Sequence, residues 1–177
     1  DRLDPKTERF YHYDLEDRAG VSSEINPFLH FLADHRGTIW LISRSTRTLY
    51  YKQENRDNFR PFPLPIAEKL ISDSLEVVNV FEDSDDYLWV FSDKEIFKLS
   101  PNRKELIRVG SYPEVIRQLT EENLYFPIVE DQEKNLWFGQ YQYLFEYDRK
   151  EDTIRKYSLT DQAGVSAEWV YEIVVAP

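Results

Sequence analysis

The chain has 177 residues, 22 basic and 33 acidic, a net charge of −11, 15% aromatic residues and no cysteine. That balance argues against nucleic-acid binding, which shows as a basic patch or stripe, and against docking on an anionic membrane surface. The lack of cysteine excludes disulfides, thiol nucleophiles and thiolate metal sites, and no apolar run reaches the ~20 residues needed to cross a bilayer.

Taken in chain order, the sequence reads as short strands separated by turn residues. Leu3–Leu15 reads as the tail of a unit, its two strands joined by the turn Asp4–Glu8 ("DPKTE"). The first full unit predicts strands over Phe28–Ala33, Thr38–Ser43, Thr48–Lys52 and Asn58–Phe62. The second predicts Val77–Glu82, Tyr87–Ser92, Glu95–Leu99 and Glu105–Val109. The third predicts Tyr125–Glu130, Asn135–Gly139, Tyr143–Tyr147 and Thr153–Tyr157, and Val170–Val175 starts a further unit. These segments are rich in Val, Ile, Phe, Tyr and Trp, as β-propensity requires. Longer linkers, Pro63–Glu76, Gly110–Asn123 and Ser158–Trp169, are the segments long enough to carry specificity, and "PIAEKLISDS" and "YPEVIRQLTEE" in the first two each have room for a helical turn.

The units repeat one phrase. "LADHRGTIWL" (Leu32–Leu41), "FEDSDDYLWV" (Phe81–Val90) and "VEDQEKNLWF" (Val129–Phe138) each place an Asp six residues before a Trp: Asp34 and Trp40, Asp83 and Trp89, Asp131 and Trp137. The tryptophans lie 49 and 48 residues apart. "DRAGVSSE" (Asp17–Glu24) returns as "DQAGVSAE" (Asp161–Glu168), 144 residues on, or three periods. Short strands at such a period point to a β-propeller. The expected fold is all-β: a propeller segment of four-stranded antiparallel blades, within one domain over 1–177. It comprises a blade tail at 1–15, blades at about 28–62, 77–109 and 125–157, and the first strand of a further blade at 170–177.

A residue needed once per blade is a packing residue, so the three Trp are read as inter-blade core rather than as sugar-stacking platforms. The three Asp are read as turn formers that bond their own backbone two residues on. Three residues after each Asp the turn calls for positive φ, which Gly37 gives freely and Asp86 tolerates. Lys134 occupies that place in the third unit and is expected to reshape its turn.

The sequence resembles the two-component regulator propeller repeat, with Val129–Asp148 ("VEDQEKNLWFGQYQYLFEYD") as its best match and "AGVSSE" and "AGVSAE" as its linker. It departs from that repeat in keeping the Gly after the Trp strand only as Gly139 and in a longer loop after the first Trp strand. The resemblance implies a periplasmic or extracellular sensor domain, joined through a membrane span outside this chain to a histidine kinase or hybrid regulator. In Bacteroides-like systems it further implies an oligosaccharide ligand. Remaining blades or a second protomer would cover the open ends.

Little supports catalysis. His12, His30 and His35 fall at unrelated repeat positions, and no Ser/His/Asp grouping, phosphate loop or metal spacing is present. "DSDD" (Asp83–Asp86) lacks the Gly and the distal Glu of a calcium loop, with Leu88 and Lys94 in their places, and reads as a solvated turn. No cofactor is implied. Candidate ligand contacts are residues that break the repeat on the face of the second-to-third strand loops: Arg44, Arg47, Gln140, Tyr141, Gln142 and Tyr143, with Asp93 and Lys94 on the same loops. Amides beside aromatics suit a sugar, whose ring stacks while its hydroxyls bond; packing against a neighbouring blade is the competing use of Tyr141 and Tyr143. Trp169, on a linker, is read as core or inter-blade. A secreted polysaccharide-acting propeller enzyme and a purely structural interaction propeller are the alternatives to a sensor.

Overall fold

Runs of β-branched and aromatic residues, interrupted by Asp, Gly, Ser and Pro, set the strand boundaries. The computed structural model describes residues 2–4, 8–11, 28–43, 46–53, 59–65, 75–93, 95–110, 126–140, 143–159 and 170–175. These hold fourteen strands and, among the described residues, no helix. The chain divides into two compact units, Asp1–Pro63 and Leu64–Pro177.

In the first unit, β1 (Arg2–Asp4) and β2 (Arg9–Tyr11) form a hairpin. The strands β3 (Phe28–Ala33), β4 (Ile39–Ser43), β5 (Leu49–Lys52) and β6 (Arg60–Pro61) form a four-stranded antiparallel meander. β6 is much shorter than the expected Asn58–Phe62. Pro61, its last residue, and Pro63 have no N–H for the ladder, and Phe62 N between them makes one further bond, to Leu49 O at 2.8 Å.

The second unit holds two further meanders. One is β7 (Val77–Glu82), β8 (Leu88–Ser92), β9 (Ile96–Leu99) and β10 (Leu106–Gly110). The other is β11 (Ile128–Glu130), β12 (Leu136–Gln140), β13 (Tyr143–Asp148) and β14 (Thr153–Ser158). β11 begins at Ile128 rather than at Tyr125, immediately after Pro127. The equivalent strands β3 and β7 instead carry a register shift, between Phe28 and His30 and between Val77 and Asn79.

Val170–Val175, expected as a strand, has no sheet partner among the described residues. A strand exists only through its ladder, and no described segment pairs with this one. The linker segments 66–74, 111–125 and 160–169, with the expected helical turns and Trp169, lie outside the described residues.

The core of the second unit lies between its two sheets. Val78, Trp89, Phe91 and Ile96 of one meet Phe126, Leu136, Phe138, Phe145 and Tyr147 of the other. Phe91 meets Phe126 and Phe138 edge-on, with ring centroids 5.4 and 5.3 Å apart. Such pairs add about 0.5–1.5 kcal/mol each beyond their buried area. Asn79 reaches from β7 to donate its side-chain amide to the Phe126 carbonyl, 2.8 Å, and accepts from its neighbour Val80 N, 2.9 Å. A polar group buried between two sheets is thereby satisfied at both ends.

The three Asp turns are superimposable in their bonding. Gly37 N donates to Asp34 O, Asp86 N to Asp83 O and Lys134 N to Asp131 O, at 2.9, 3.0 and 3.0 Å. The three residues have φ of 75°, 68° and 68°. Lys134 therefore does not reshape its turn, contrary to the sequence expectation; it takes the left-handed conformation itself. Gly37→Ala is expected to lower stability by about 1 kcal/mol, because a Cβ is disfavoured at positive φ. Urea denaturation would register this as a lower midpoint at constant slope. An unchanged midpoint would mean that the turn relaxes freely.

Candidate functional site

Each repeat unit builds the same corner from its Asp and its Trp. One carboxylate oxygen closes the turn: Asp34 Oδ1 accepts from Arg36 N and Thr38 N, 3.0 and 2.8 Å, and Asp83 Oδ1 from Asp85 N and Tyr87 N, 3.0 and 2.9 Å. Asp131 Oδ1 accepts from Asn135 N, 2.8 Å. The other oxygen accepts the indole N–H six residues on: Trp40 Nε1 to Asp34 at 3.0 Å, Trp89 to Asp83 at 2.7 Å and Trp137 to Asp131 at 2.7 Å. The turn role is the one read from the sequence. The direct Asp–Trp bond was missed, although the fixed six-residue spacing was its signal. A buried indole N–H requires an acceptor, and this is the acceptor.

The corner of the second blade is also where two blades are joined by charge. Arg149, in the β13–β14 turn, pairs with Asp83 at 3.1 Å, with Asp85 at 3.7 Å and with Glu130 of its own blade at 2.8 Å. Its guanidinium lies 5.3 Å from the Trp89 ring centroid, and Tyr147 meets the same ring edge-on at 5.4 Å. Lys134 pairs with Asp85 and, with the Arg149 charge, holds that carboxyl below the usual range; the Lys134 hydrogen bond is the largest cause. Glu130 also accepts from Ser84 N, 2.7 Å. Arg103 repeats the within-blade half of the pattern, bonding Glu82 and the Asp86 carbonyl, each at 2.8 Å. The acidic "DSDD" turn is thus tied to cationic side chains as well as facing solvent.

The β13–β14 surface carries a second polar group. Tyr157 donates to the buried Glu146 carboxylate, 2.5 Å, and stacks on Trp137 with centroids 5.6 Å apart. That hydrogen bond, with burial, pushes the Tyr157 phenol above its usual range. Arg155 pairs with Asp148 at 3.0 Å and reaches Glu146 at 3.5 Å. The Glu151 and Lys150 backbone N–H groups, then Arg155, hold the Asp148 carboxyl low.

Of the candidate ligand contacts, Arg44, Tyr141 and Gln142 lie outside the described residues, as does the side chain of Gln140, whose backbone closes β12 opposite Tyr143. Arg47 sits in the β4–β5 turn at φ 53°, its N–H donating to Ser43 O at 2.9 Å. Tyr143 is half-buried against the core cluster, with Lys156 Nζ 3.6 Å from its ring centroid. Arg47 and Tyr143 belong to different compact units. Asp93 is committed to the linker: its backbone N–H donates to Glu76 O, 2.9 Å, and its carboxylate accepts from Glu76 N, 3.2 Å. His30 and His35 each have a partner, and His12 lies outside the described residues.

No protein-family model matches the sequence, and no curated protein matches it. Among solved structures, the chain is similar to the extracellular domain of the putative one component system BT4673 of B. thetaiotaomicron. The TM-score is 0.64 and the identity 14%, over 96% of this chain and 21% of that one. It is also similar to the extracellular domain of the putative hybrid two component system BT3049 of the same organism, with TM-score 0.57 and 19% identity over 84% of this chain and 19% of that one. Virginiamycin B lyase of Staphylococcus aureus, in a catalytically inactive form, matches with TM-score 0.51 and 13% identity over 77% and 42%. The chain spans about a fifth of each of the two extracellular domains. At these identities the likeness is one of fold, and the chain is an all-β propeller segment built from four-stranded antiparallel blades.

Proposed function

We propose that this chain is part of the extracytoplasmic sensor domain of a bacterial two-component regulator, that its ligand is an oligosaccharide, and that the segment itself is non-catalytic. The observation that carries this reading is the division of labour along the repeat. The Asp–Trp corner is the same in all three blades, while the second-to-third strand loops differ in every blade, with Arg44 and Arg47, then Asp93 and Lys94, then Gln140 to Tyr143. Constant residues are committed to packing; differing loops on a shared ring are where one scaffold becomes selective. The sequence resemblance to the two-component regulator propeller repeat and the fold likeness to two extracellular sensory-system domains support the assignment. Membrane attachment and the histidine kinase output would then belong to regions outside this chain, and further blades or a second protomer would complete the ring.

The test is calorimetry with an oligosaccharide panel on the complete extracytoplasmic domain, comparing the wild type with Arg44→Ala and Tyr141→Ala. A loss of affinity of about tenfold or more is expected where a stacking or charge-assisted contact is removed. Unchanged affinity in both variants would move the site away from these loops. The fold likeness to virginiamycin B lyase keeps an enzymatic reading alive. Turnover of a polysaccharide by the complete protein, with no kinase following it, would favour that reading over sensing.

A further inference from the structure

The two tryptophan corners of the second unit are built alike but finished differently. At Asp83 and Trp89 the carboxylate bonds the indole at 2.7 Å and pairs with Arg149 of the next blade at 3.1 Å, while the guanidinium lies over the ring at 5.3 Å. Tyr147, two residues before Arg149, covers the ring edge. Trp89 is 1% exposed as a result. At Asp131 and Trp137 the indole bond is the same length, but both residues are only half-buried.

The face of β12 that carries Trp137 meets the outgoing chain at Gly139. Gly139 lies two residues along β12 on the same side, since strand side chains alternate, and holds the place of Phe91 in the second blade. Phe91 there packs on Phe126, which precedes the first strand of the next blade. At Gly139, Val170 of the outgoing chain shares the corresponding space with the neighbouring strand: a Cβ there would stand 3.3 Å from Val170 Cγ1, 3.3 Å from Leu144 Cδ1 and 3.1 Å from Tyr143 O. Val170 beside Gly139 and Phe126 beside Phe91 thus stand at corresponding places of the third and second blades. The charge differs in the same direction: Lys98 lies opposite Trp89 on the neighbouring strand, and Glu146 lies opposite Trp137.

We infer that the Asp131–Trp137 corner is a receptor for an arginine side chain, presented by a further unit of this repeat whose third strand runs into its turn as Tyr-x-Arg, as Tyr147 of β13 and Arg149 of the following turn do. This inference does not rest on the sensor reading. The guanidinium would pair with Asp131, lie over the Trp137 ring and leave the tyrosine at the ring edge. A planar cation satisfies the carboxylate and the π face together.

The probe is the blocked tripeptide acetyl-Tyr-Asp-Arg-amide, titrated into the uniformly 15N-labelled chain while the indole N–H resonances are followed. Trp137→Phe and Trp89→Phe assign them. The expected result is a saturable shift of the Trp137 resonance with Trp89 unmoved. Binding should be weaker by about fivefold or more when citrulline replaces arginine, or when Asp131→Asn removes the charge. The Trp89 resonance, kept in place, shows that the Asp131→Asn protein is folded. An unmoved Trp137, an equal response to the arginine and citrulline peptides, or an equal shift of Trp89 would each overturn the proposal.

Discussion

Trp89→Ala is expected to lower the stability of the chain by about 3–5 kcal/mol, the range for truncating a fully buried large aromatic. Trp137→Ala should cost clearly less, about 1–2 kcal/mol. The two residues occupy the same repeat position and make the same bond to an Asp, so the difference isolates what the neighbouring blade adds. Trp89 is 1% exposed and contacts Tyr147, Arg149 and Lys98 as well as Asp83. Its removal opens a cavity between two sheets and leaves Arg149 without its ring, while Lys98 keeps Tyr87. Trp137 stacks on Tyr157 of its own sheet and is only half-buried, so water fills the space it vacates. In repeat folds, stability is a sum of intrinsic unit terms and nearest-neighbour interfaces. Urea denaturation followed by circular dichroism measures both variants. Equal losses would mean that the inter-blade contacts of Trp89 contribute little and that the Asp–Trp bond within each blade dominates.

Most of the fold was legible in the sequence because it is written three times. The period located each Asp turn, and the steric demand of that turn gave the positive φ at residues 37 and 86. It misled only at Lys134, which was expected to reshape its turn but takes the positive φ that two backbone hydrogen bonds around Asp131 impose. The strand ends that departed from expectation, at β6 and β11, lie beside prolines, where the pattern of apolar residues continues but the ladder cannot. The Asp–Trp bond was written in the spacing but not recognised, since a spacing of six has no meaning within a single strand. It acquires one only when a turn folds the Asp back over the next strand. The Arg149 clamp was not legible at all. It joins residues 66 positions apart through a turn whose register is not shared: Arg103 and Arg149 make the same pairing with Glu82 and Glu130 from different places in their turns. For the candidate site, sequence reasoning could find loops that break the repeat. It could not tell a side chain spent on packing, such as Tyr143, or on the linker, such as Asp93, from one left to meet a ligand.

Asp83→Ala is expected to cost about 3–5 kcal/mol, and Asp131→Ala about 1–2 kcal/mol, although the two residues hold one repeat position. The Asp83 side chain is fully buried and serves four donors: Asp85 N, Tyr87 N, Trp89 Nε1 and Arg149. Removing it strands a buried indole N–H and two turn amides, and deprives Arg149 of one of its carboxylates. A buried polar group left without a partner carries its full desolvation penalty, about 1–3 kcal/mol. Arg149 keeps Glu130 at 2.8 Å, which sets the upper bound on the loss. Asp131 serves Asn135 N and Trp137 Nε1 and is only half-buried, so water replaces it in part. A double-mutant cycle of Asp83→Ala with Arg149→Ala separates the turn from the clamp. Neighbours in one network couple by about 0.5–3 kcal/mol, and the cycle is expected to give a coupling of at least about 1 kcal/mol at low salt. The partly exposed Arg149 makes the clamp sensitive to ionic strength, while the buried Asp–Trp bond is not. Raising the salt should therefore reduce the coupling energy and leave most of the Asp83→Ala loss in place. A coupling near zero, or an Asp83→Ala loss that salt abolishes, would show that the charge pair and the turn are not joined as the geometry has them.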